Sequence, residues 1–215
     1  MDMRVEQVLE IYHERIGVED SKLRQAVASG IHNDDLNKFL LPVGPDTGRL
    51  INILVKSLKS PKILEIGTSY GYSTIWLGEA AKATGGRVTT LELQDYKSAY
   101  ARDMAEQAGL AKYIDFKVGD ALNLIRNIES NYDFVLLDLW KDLYVPCLKL
   151  FFPKLNDGAI VVADNMIFPP NTEVKEYASL IRGMAGVSSV LLPVGSGIEV
   201  SRINHQSSPA DNIVM

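Results

Sequence analysis

The sequence has little cysteine and no long run of apolar residues. Its 215 residues include one cysteine, Cys147, which excludes an internal disulfide framework and a cysteine-rich zinc site. No apolar run approaches the ~20 residues that a membrane-spanning helix needs. Residues 1–17 mix charged with apolar side chains, unlike the continuous apolar stretch of a signal peptide. We therefore expect a cytoplasmic protein.

Excess positive charge is also lacking. Lysine and arginine total 22 against 27 aspartate and glutamate residues, which gives a net charge of −5. Because nucleic-acid backbones bind positively charged surfaces, this balance favours a small-molecule partner and makes nucleic acid an unfavoured one. The 47% of hydrophobic side chains is enough for the core of one globular domain.

The chain divides into three parts by its apolar pattern. Residues 1–58 carry apolar side chains at helical spacing, interrupted by a turn-rich stretch at 41–48, and predict a helical segment packed on the core. Residues 59–203 predict the main domain. Residues 204–215 have few side chains to pack, so we expect a mobile tail.

From residue 61 onward, strand and helix patterns alternate, which predicts an α/β fold with a parallel sheet covered by helices on both faces. A helix near 173–184 follows, and then two strands joined by a hairpin within 188–203. The five alternating strands are predicted at 62–67, 87–93, 113–118, 132–138 and 158–164, and their helices at 72–84, 96–110, 121–128 and 142–152.

The carboxyl ends of parallel strands surround the usual ligand crevice of such a fold. The first strand is followed by a glycine loop, in which Gly67 and Gly71 allow a tight turn and a close backbone approach to a ligand. These glycines are equally consistent with a strand-to-helix turn that binds no ligand. Glu92 ends the second strand, where a carboxylate can accept hydrogen bonds from ribose hydroxyls. Asp120 follows the third strand, either as a helix cap or as an adenine contact.

The fourth and fifth strands end in acidic and amide side chains. Asp138 is followed by Trp140 and Lys141, and the fifth strand ends in Asp164 and Asn165. Two carboxylates and an amide offer only oxygen ligands, which suit a hard cation such as Mg²⁺ and do not suit zinc. The three histidines do not join this set, because they lie in the helical segment or the tail: His13, His32 and His205.

Together these motifs carry a family resemblance. The segments "LEIGTSYGYS", "YDFVLLDLWKDLY" and "VVADN", with Glu92 and a late "GIE", resemble the metal-dependent class I S-adenosylmethionine O-methyltransferases, most closely the catechol O-methyltransferase branch. The similarity covers residues 41–203. It implies a doubly wound, Rossmann-like, mostly parallel sheet of seven strands with the last strand antiparallel. Helical segments like 1–58 often support dimers in this family, so a homodimer is possible.

The resemblance also implies roles for individual residues. Lys141 would be the general base, acting together with Asp138. The metal ligands would be Asp138, Asp164 and Asn165. The methyl acceptor would lie against Lys141, Asn165, Pro169 and Glu199, with Glu199 accepting a hydrogen bond from its second hydroxyl group. The cofactor contacts would be Val43, Glu65, Gly67, Ser69, Ser73, Glu92, Asp120, Ala121, Asp138 and Trp140.

Three positions depart from the catechol pattern. Leu139 stands where the catechol enzymes have a histidine near the adenine, Ser69 replaces an aromatic residue, and Leu41 replaces a methionine close to the transferred methyl group.

The expected activity is methyl transfer from S-adenosylmethionine to a hydroxyl of a vicinal dihydroxy aromatic, with Mg²⁺ or another divalent cation. Two alternatives stay open: the same chemistry on a hydroxylated tRNA base, and a regulatory protein that binds the cofactor without turnover.

Overall fold

The computed structural model describes residues 1–30 and 33–204. Most of the predicted tail, at 205–215, and the histidines His32 and His205 lie outside these residues. In the described ranges, none of the helices has both the length and the apolar character required to cross a bilayer.

Helices and strands alternate along most of the described chain. The α-helices are α1 (Met3–Ala28), α2 (Asn33–Leu36), α3 (Pro45–Lys56), α4 (Tyr72–Thr84), α5 (Asp95–Gln107), α6 (Ala121–Asn127), α7 (Tyr144–Phe151) and α8 (Thr172–Arg182). Short 3-10 helices occur at Ala111–Tyr113, Lys141–Leu143 and Phe152–Lys154. The strands are β1 (Lys62–Ile66), β2 (Arg87–Glu92), β3 (Ile114–Val118), β4 (Tyr132–Leu137), β5 (Leu155–Ala163), β6 (Val187–Leu192) and β7 (Ile198–Ile203).

The strands form one seven-stranded sheet in the order β3-β2-β1-β4-β5-β7-β6. Strands β1 to β5 pair in parallel, whereas β7 runs antiparallel to both of its neighbours, β5 and β6. The predicted seven-stranded sheet with an antiparallel last strand is therefore confirmed. Strand order reverses between β1 and β4, which places the ligand crevice of such a fold above these two strands.

Each face of the sheet is covered by its own helices, as predicted. One core cluster joins apolar side chains of α1, α3, α4 and α5 to the sheet, and the other joins those of α6, α7 and α8. Helix α1 contributes four buried side chains at helical spacing: Val5, Val8, Leu9 and Tyr12. The first core cluster therefore includes the N-terminal helix.

Most predicted boundaries differ from the structure by one to three residues, and two of the differences have a local cause. Strand β5 begins at Leu155, three residues earlier than predicted, because its pairing with β4 continues through an irregular register near Tyr132. Gly158 lies within this stretch and has a φ of 75°. A glycine at this place in the sequence indicates a turn, not the interior of a strand. The helix predicted at 142–152 divides into the 3-10 turn Lys141–Leu143 and α7, which accommodates Pro146 in its first turn because those N–H groups need no helical partner.

Candidate active site

The carboxyl ends of four parallel strands meet at one edge of the sheet. Gly67 follows β1, Glu92 ends β2, Asp138 follows β4 and Asp164 follows β5. Backbone hydrogen bonds continue the pairing just past the strands, since Asp138 N–H donates to the Ile66 carbonyl at 3.0 Å. The candidate residues predicted from four separate motifs are thus brought to one edge.

Gly67 allows the closest approach at this edge. Its φ is +107°, and a Cβ atom added there would lie 1.8 Å from the Asp138 carbonyl oxygen. A residue with a side chain would force β1 and β4 apart at the point where strand order reverses. This glycine therefore has the structural role that was left open, and it also lines the pocket described next.

A narrow pocket, here called the strand-edge pocket, opens beside Gly67. Residues 40–43 form one wall, and the glycine loop and Asp138 form the other. The structure thus brings together five of the predicted cofactor contacts, which are Val43, Gly67, Ser69, Ser73 and Asp138.

Glu92 is held by the backbone on two sides. Its Oε2 accepts a hydrogen bond from Ser69 N–H at 2.7 Å, and its Oε1 accepts one from Gln94 N–H at 2.9 Å. The carboxylate is mostly buried, at 9% exposure. Since each carboxylate oxygen accepts more than one hydrogen bond, Glu92 is oriented and can still accept from a ligand hydroxyl.

Glu65 is fully buried beneath the glycine loop. It accepts hydrogen bonds from three hydroxyl groups, those of Ser73, Thr74 and Thr90, each at 2.6 Å. Burial nevertheless raises the pKa of Glu65 to about 7, because desolvation of the charge outweighs the three donors. Glu65 therefore orients Ser73 from behind the pocket wall.

Lys141 lies at the centre of a polar cluster formed by Asp138, Lys141, Asp164 and Asn165. Its Nζ donates to the Asn165 Oδ1 at 2.7 Å and lies 3.6 Å from the Asp138 Oδ1. Nζ also donates to the Leu139 carbonyl at 3.1 Å. Lys141 is the first residue of the turn Lys141–Leu143, three residues after Asp138.

The polar cluster is strongly perturbed by burial. Desolvation raises the pKa values of Asp138 and Asp164, and the charge of Asp138 raises that of Asp164 further. Desolvation also lowers the pKa of Lys141, although both carboxylates oppose this effect. Perturbed titratable groups in a crevice are typical of functional sites.

The donor atoms of the polar cluster determine which ions it could bind. Among the described residues, no group of three or more His, Cys, Asp and Glu side chains is arranged to hold a metal. The candidate set is instead two carboxylates and the amide of Asn165. Asp164 Oδ1 is buried and has no hydrogen-bond partner within the described ranges. Oxygen donors with one such unpaired atom fit a hard divalent cation.

Backbone strain is concentrated around this site. Four residues other than glycine have positive φ in the described ranges, and three of them border the pocket or the polar cluster: Leu41 at 45°, Ser69 at 48° and Asn165 at 53°. Such conformations persist only where the surrounding structure fixes them, and they tend to occur at ligand sites.

The remaining predicted contacts have less specific environments. Asp120 caps α6 by accepting a hydrogen bond from Asn123 N–H at 2.9 Å, and Ala121 is the first residue of that helix. The capping role is therefore the one seen for Asp120. Trp140 is 37% exposed beside Lys141. Pro169 is also exposed and follows a cis peptide bond after Phe168.

Glu199 has a different role from the predicted one. Its carboxylate is fully buried, and Arg182 of α8 donates to both oxygens, at 2.7 and 2.6 Å. Ser189 of β6 donates to it as well. Because these groups occupy the carboxylate from α8 and β6, Glu199 stabilises the fold and is not available to an acceptor hydroxyl.

Tyr144 belongs to the site but was not singled out as a site residue. Its hydroxyl accepts a hydrogen bond from Lys141 Nζ at 2.6 Å and donates to the Asp164 carbonyl at 3.0 Å. The spacing gives the signal, since residues three apart on a helical turn face the same side.

Comparison with known proteins finds relatives over most of the chain. A family model described as O-methyltransferase matches residues 16–202. Catechol O-methyltransferase from Bos taurus is 29% identical over 161 residues, which cover 71% of this chain and 59% of that protein. The match thus spans less than two thirds of that relative's length. Caffeoyl-CoA O-methyltransferase 1 from Arabidopsis thaliana is 26% identical over 186 residues, which cover 76% of this chain and 71% of that protein.

Solved structures give the same result. The O-methyltransferase from Bacillus cereus in complex with SAH has a TM-score of 0.73 and 25% sequence identity, covering 95% of this chain and 92% of that chain. The shared fold extends over nearly all of the sequence, and the family model covers most of it. The chain therefore belongs to the O-methyltransferase family.

Proposed function

We propose that the protein transfers a methyl group from S-adenosylmethionine to a hydroxyl of a catechol-like small molecule, with a divalent cation such as Mg²⁺. The observation that carries this proposal is the polar cluster: Asp138 and Lys141 meet Asp164 and Asn165 at adjacent strand ends, directly beside the strand-edge pocket. The names of the bovine and plant relatives agree with an aromatic hydroxyl acceptor.

The cofactor would lie along the strand-edge pocket. Glu92 is oriented by two backbone N–H groups and would accept hydrogen bonds from the ribose. Ser73 and Gly67 line the pocket and would contact the methionine part. The SAH complex of the Bacillus cereus relative supports this choice of cofactor.

Asp138, Asp164 and Asn165 would hold the cation. Their oxygen atoms suit Mg²⁺, and the unpaired Oδ1 of Asp164 is a buried acceptor that a cation would satisfy. When bound, the cation would stabilise the negative charge that develops on the acceptor oxygen.

Lys141 would act as the general base. A free phenol has a pKa near ~10 and is a poor nucleophile at neutral pH. Because burial lowers the pKa of Lys141, more of its amine is neutral and able to take a proton at Nζ. The Leu139 carbonyl and the Tyr144 hydroxyl hold Nζ in a fixed position.

Exposed aromatic and apolar side chains lie close in sequence to the polar cluster and would contact the acceptor ring. Trp140 is 37% exposed and Phe168 is 66% exposed, and Pro169 follows directly. Exposed aromatic side chains next to buried polar groups suit an acceptor with an apolar ring and vicinal hydroxyls.

The test is methyl transfer from labelled S-adenosylmethionine to catechols, caffeoyl esters, simple phenols and hydroxylated tRNA, with Mg²⁺ or with EDTA. We expect transfer to the vicinal dihydroxy compounds, loss of activity in EDTA, and recovery when Mg²⁺ is added back. Asp164→Asn should raise the Mg²⁺ concentration needed for activity, or abolish turnover, because it removes a carboxylate that would bind the cation. Asp115→Asn is the matched control, because this aspartate lies on β3 and pairs with Lys117 outside the site.

Each part of the proposal can fail separately. Activity unaffected by EDTA would refute the cation. Transfer to tRNA alone would support the alternative acceptor. Cofactor binding without transfer to any acceptor, indifferent to Mg²⁺, would support a non-catalytic binding protein.

A further inference from the structure

We infer that Glu19 of α1 and Lys97 of α5 are positioning residues for cofactor binding, because they fasten residues 37–43 against the strand-edge pocket. The inference rests on the proposed function, since it takes this pocket to hold the methionine part of S-adenosylmethionine. It assigns to two polar side chains outside the pocket the role of holding one pocket wall in position.

The first attachment comes from α1. Glu19 Oε2 accepts a hydrogen bond from Leu40 N–H at 2.8 Å, and Arg15 donates to its Oε1 at 2.7 Å. Leu40 is 2% exposed and is itself part of the pocket wall. A charged acceptor on a backbone N–H forms one of the stronger protein hydrogen bonds, so Glu19 fixes the position of this wall.

The second attachment comes from α5. Lys97 is only 4% exposed, and its Nζ donates to the Asn37 Oδ1 at 2.9 Å. A buried ammonium group is costly unless it is hydrogen-bonded, and this bond joins α5 to the beginning of the segment. The Tyr70 hydroxyl donates to the Asn37 carbonyl at 3.3 Å, which fixes the same residue from a second direction.

Tyr70 links the two attachments to the glycine loop. The Arg15 guanidinium lies 4.1 Å from the centre of the Tyr70 ring, and Lys97 Nζ lies 5.4 Å from it. The neighbouring Ser69 donates its hydroxyl to the Leu40 carbonyl at 3.3 Å. These contacts hold the two pocket walls at a fixed distance from each other. Breaking one of the attachments would change that distance.

Loosening this segment should affect binding of the methionine part of the cofactor more than binding of the adenosine part. Residues 40–43 face Gly67 and Ser73, which would contact the methionine part of the cofactor. Glu92 would contact the ribose, and besides its bond to Ser69 N–H it is held by Gln94 N–H, which lies outside the segment. Loosening the segment should weaken binding of S-adenosylmethionine and leave the binding of adenosine, which lacks the methionine part, nearly unchanged.

The test compares Glu19→Gln and Asn37→Ala with the wild type by calorimetric titration of the full chain with S-adenosylmethionine and with adenosine. Asn37→Ala removes the acceptor of Lys97 while retaining the lysine charge, which interacts with Glu92. We expect the Kd for S-adenosylmethionine to rise about tenfold in each variant, with adenosine affinity within about twofold. Asn37→Ala loses a charge-assisted hydrogen bond, and Glu19→Gln loses the charge that strengthens the bond to Leu40 N–H and the ion pair with Arg15.

Matched controls lie on the same two helices. Asp20→Asn removes an exposed ion pair with Arg24 on α1, and Asp103→Asn removes an exposed charge that accepts a hydrogen bond from Gln107 on α5. Both should bind S-adenosylmethionine as the wild type does. If Glu19→Gln is too unstable to titrate, Glu19→Asp retains the charge on a shorter side chain and should show a smaller loss of the same selective kind.

Unchanged affinity, or an equal loss for both ligands, would overturn the inference. A wild-type protein that binds neither ligand would overturn both this inference and the cofactor assignment. Binding of S-adenosylmethionine without methyl transfer to any acceptor would refute the proposed reaction, while the comparison between variants would still decide the positioning roles.

Discussion

The Lys141 ammonium group is a largely buried charge with three hydrogen-bond partners. Its side chain is 18% exposed, and the nearest carboxylate, that of Asp138, lies 3.6 Å away. Burying a charge without close pairing costs free energy, so a lysine in this position is more consistent with a chemical task than with stabilisation of the fold.

Replacing this lysine tests that task. Lys141→Met keeps a side chain of similar length without the amine, so we expect turnover to fall about 10²–10⁴-fold, the usual contribution of a general base. The Kd for S-adenosylmethionine, measured by calorimetric titration, should change little. Lys149→Met, on the exposed side of α7, is the control and should retain activity. Near-normal turnover in Lys141→Met would reject the base role.

The acidic residues show what a sequence can predict at this scale. Asp138 and Asp164 each follow an apolar strand directly, and topology alone brings such residues to the same edge. Glu199 also lies in a strand, but its partner Arg182 comes from a helix 17 residues earlier. The alternation of a strand indicates its two faces, yet it does not indicate which side chains of a distant helix cover them.

Among the elements, the β6–β7 hairpin supports the segment that follows Asn165. The Ser196 carbonyl accepts hydrogen bonds from Ile167 and Phe168 N–H, both at 3.0 Å, and the Gly197 carbonyl accepts one from Met166 N–H at 2.8 Å. The hairpin thus fixes the backbone of residues 166–168, which directly follow the polar cluster in the sequence.

Gly197 is a sterically restricted position in this hairpin. A Cβ atom there would lie 2.3 Å from Ile167 Cγ1, and the φ of the residue is +87°. We expect Gly197→Ala to displace residues 166–168 and to raise the KM for the acceptor on the order of tenfold, because small misplacements of a binding segment are costly. The Kd for S-adenosylmethionine should be unaffected.

Gly85→Ala is the matched control for this change. Gly85 has a similar φ of +74°, but its nearest neighbour would be Ser60 Oγ at 3.5 Å, at the far end of α4. Gly85→Ala should have backbone strain similar to that of Gly197→Ala, but the KM for the acceptor should not change. An equal rise in KM in both variants would show that general strain, and not the contact with Ile167, is responsible.

Elements with a regular period were predicted within a few residues, and irregular ones were not. Helix α4 begins and ends at the predicted residues, because its apolar spacing is followed by Gly85. The start of β5 was missed because Gly158 interrupts the alternation there. Predictions for irregular segments are weaker, because turns and hairpin contacts depend on partners distant in sequence.

For the whole molecule, a parallel sheet with helices on both faces follows from the alternating pattern, whereas the connection between α1 and the pocket does not. Right-handed crossovers and short connections leave few arrangements for alternating strands and helices. The bond between Glu19 and Leu40, in contrast, depends on how far α1 extends along the sheet. Apolar spacing predicts that a helix packs, but not which of its polar residues meets a loop.

The free energy of unfolding of the whole protein should depend on pH through Glu65. Burial raises its pKa from 4.5 to about 7 in the folded state, so folding favours the protonated form. The contribution of Glu65 to the free energy of unfolding is therefore largest below pH 4.5 and is lost as the pH rises through 7. Between pH 5 and pH 8 the wild type should lose roughly 2–3 kcal/mol relative to Glu65→Gln, which cannot ionise.

Urea unfolding of both proteins at the two pH values measures this difference, and the comparison removes the pH dependence of all other groups. Any constant cost of fitting an amide among Ser73, Thr74 and Thr90 also cancels, because only the change with pH is used. Glu106→Gln, at an exposed position on α5, should follow the wild type at both pH values. If the gap between the wild type and Glu65→Gln were the same at pH 5 and pH 8, Glu65 would ionise in the folded protein as easily as in the unfolded chain. The three hydroxyl donors would then compensate fully for its burial.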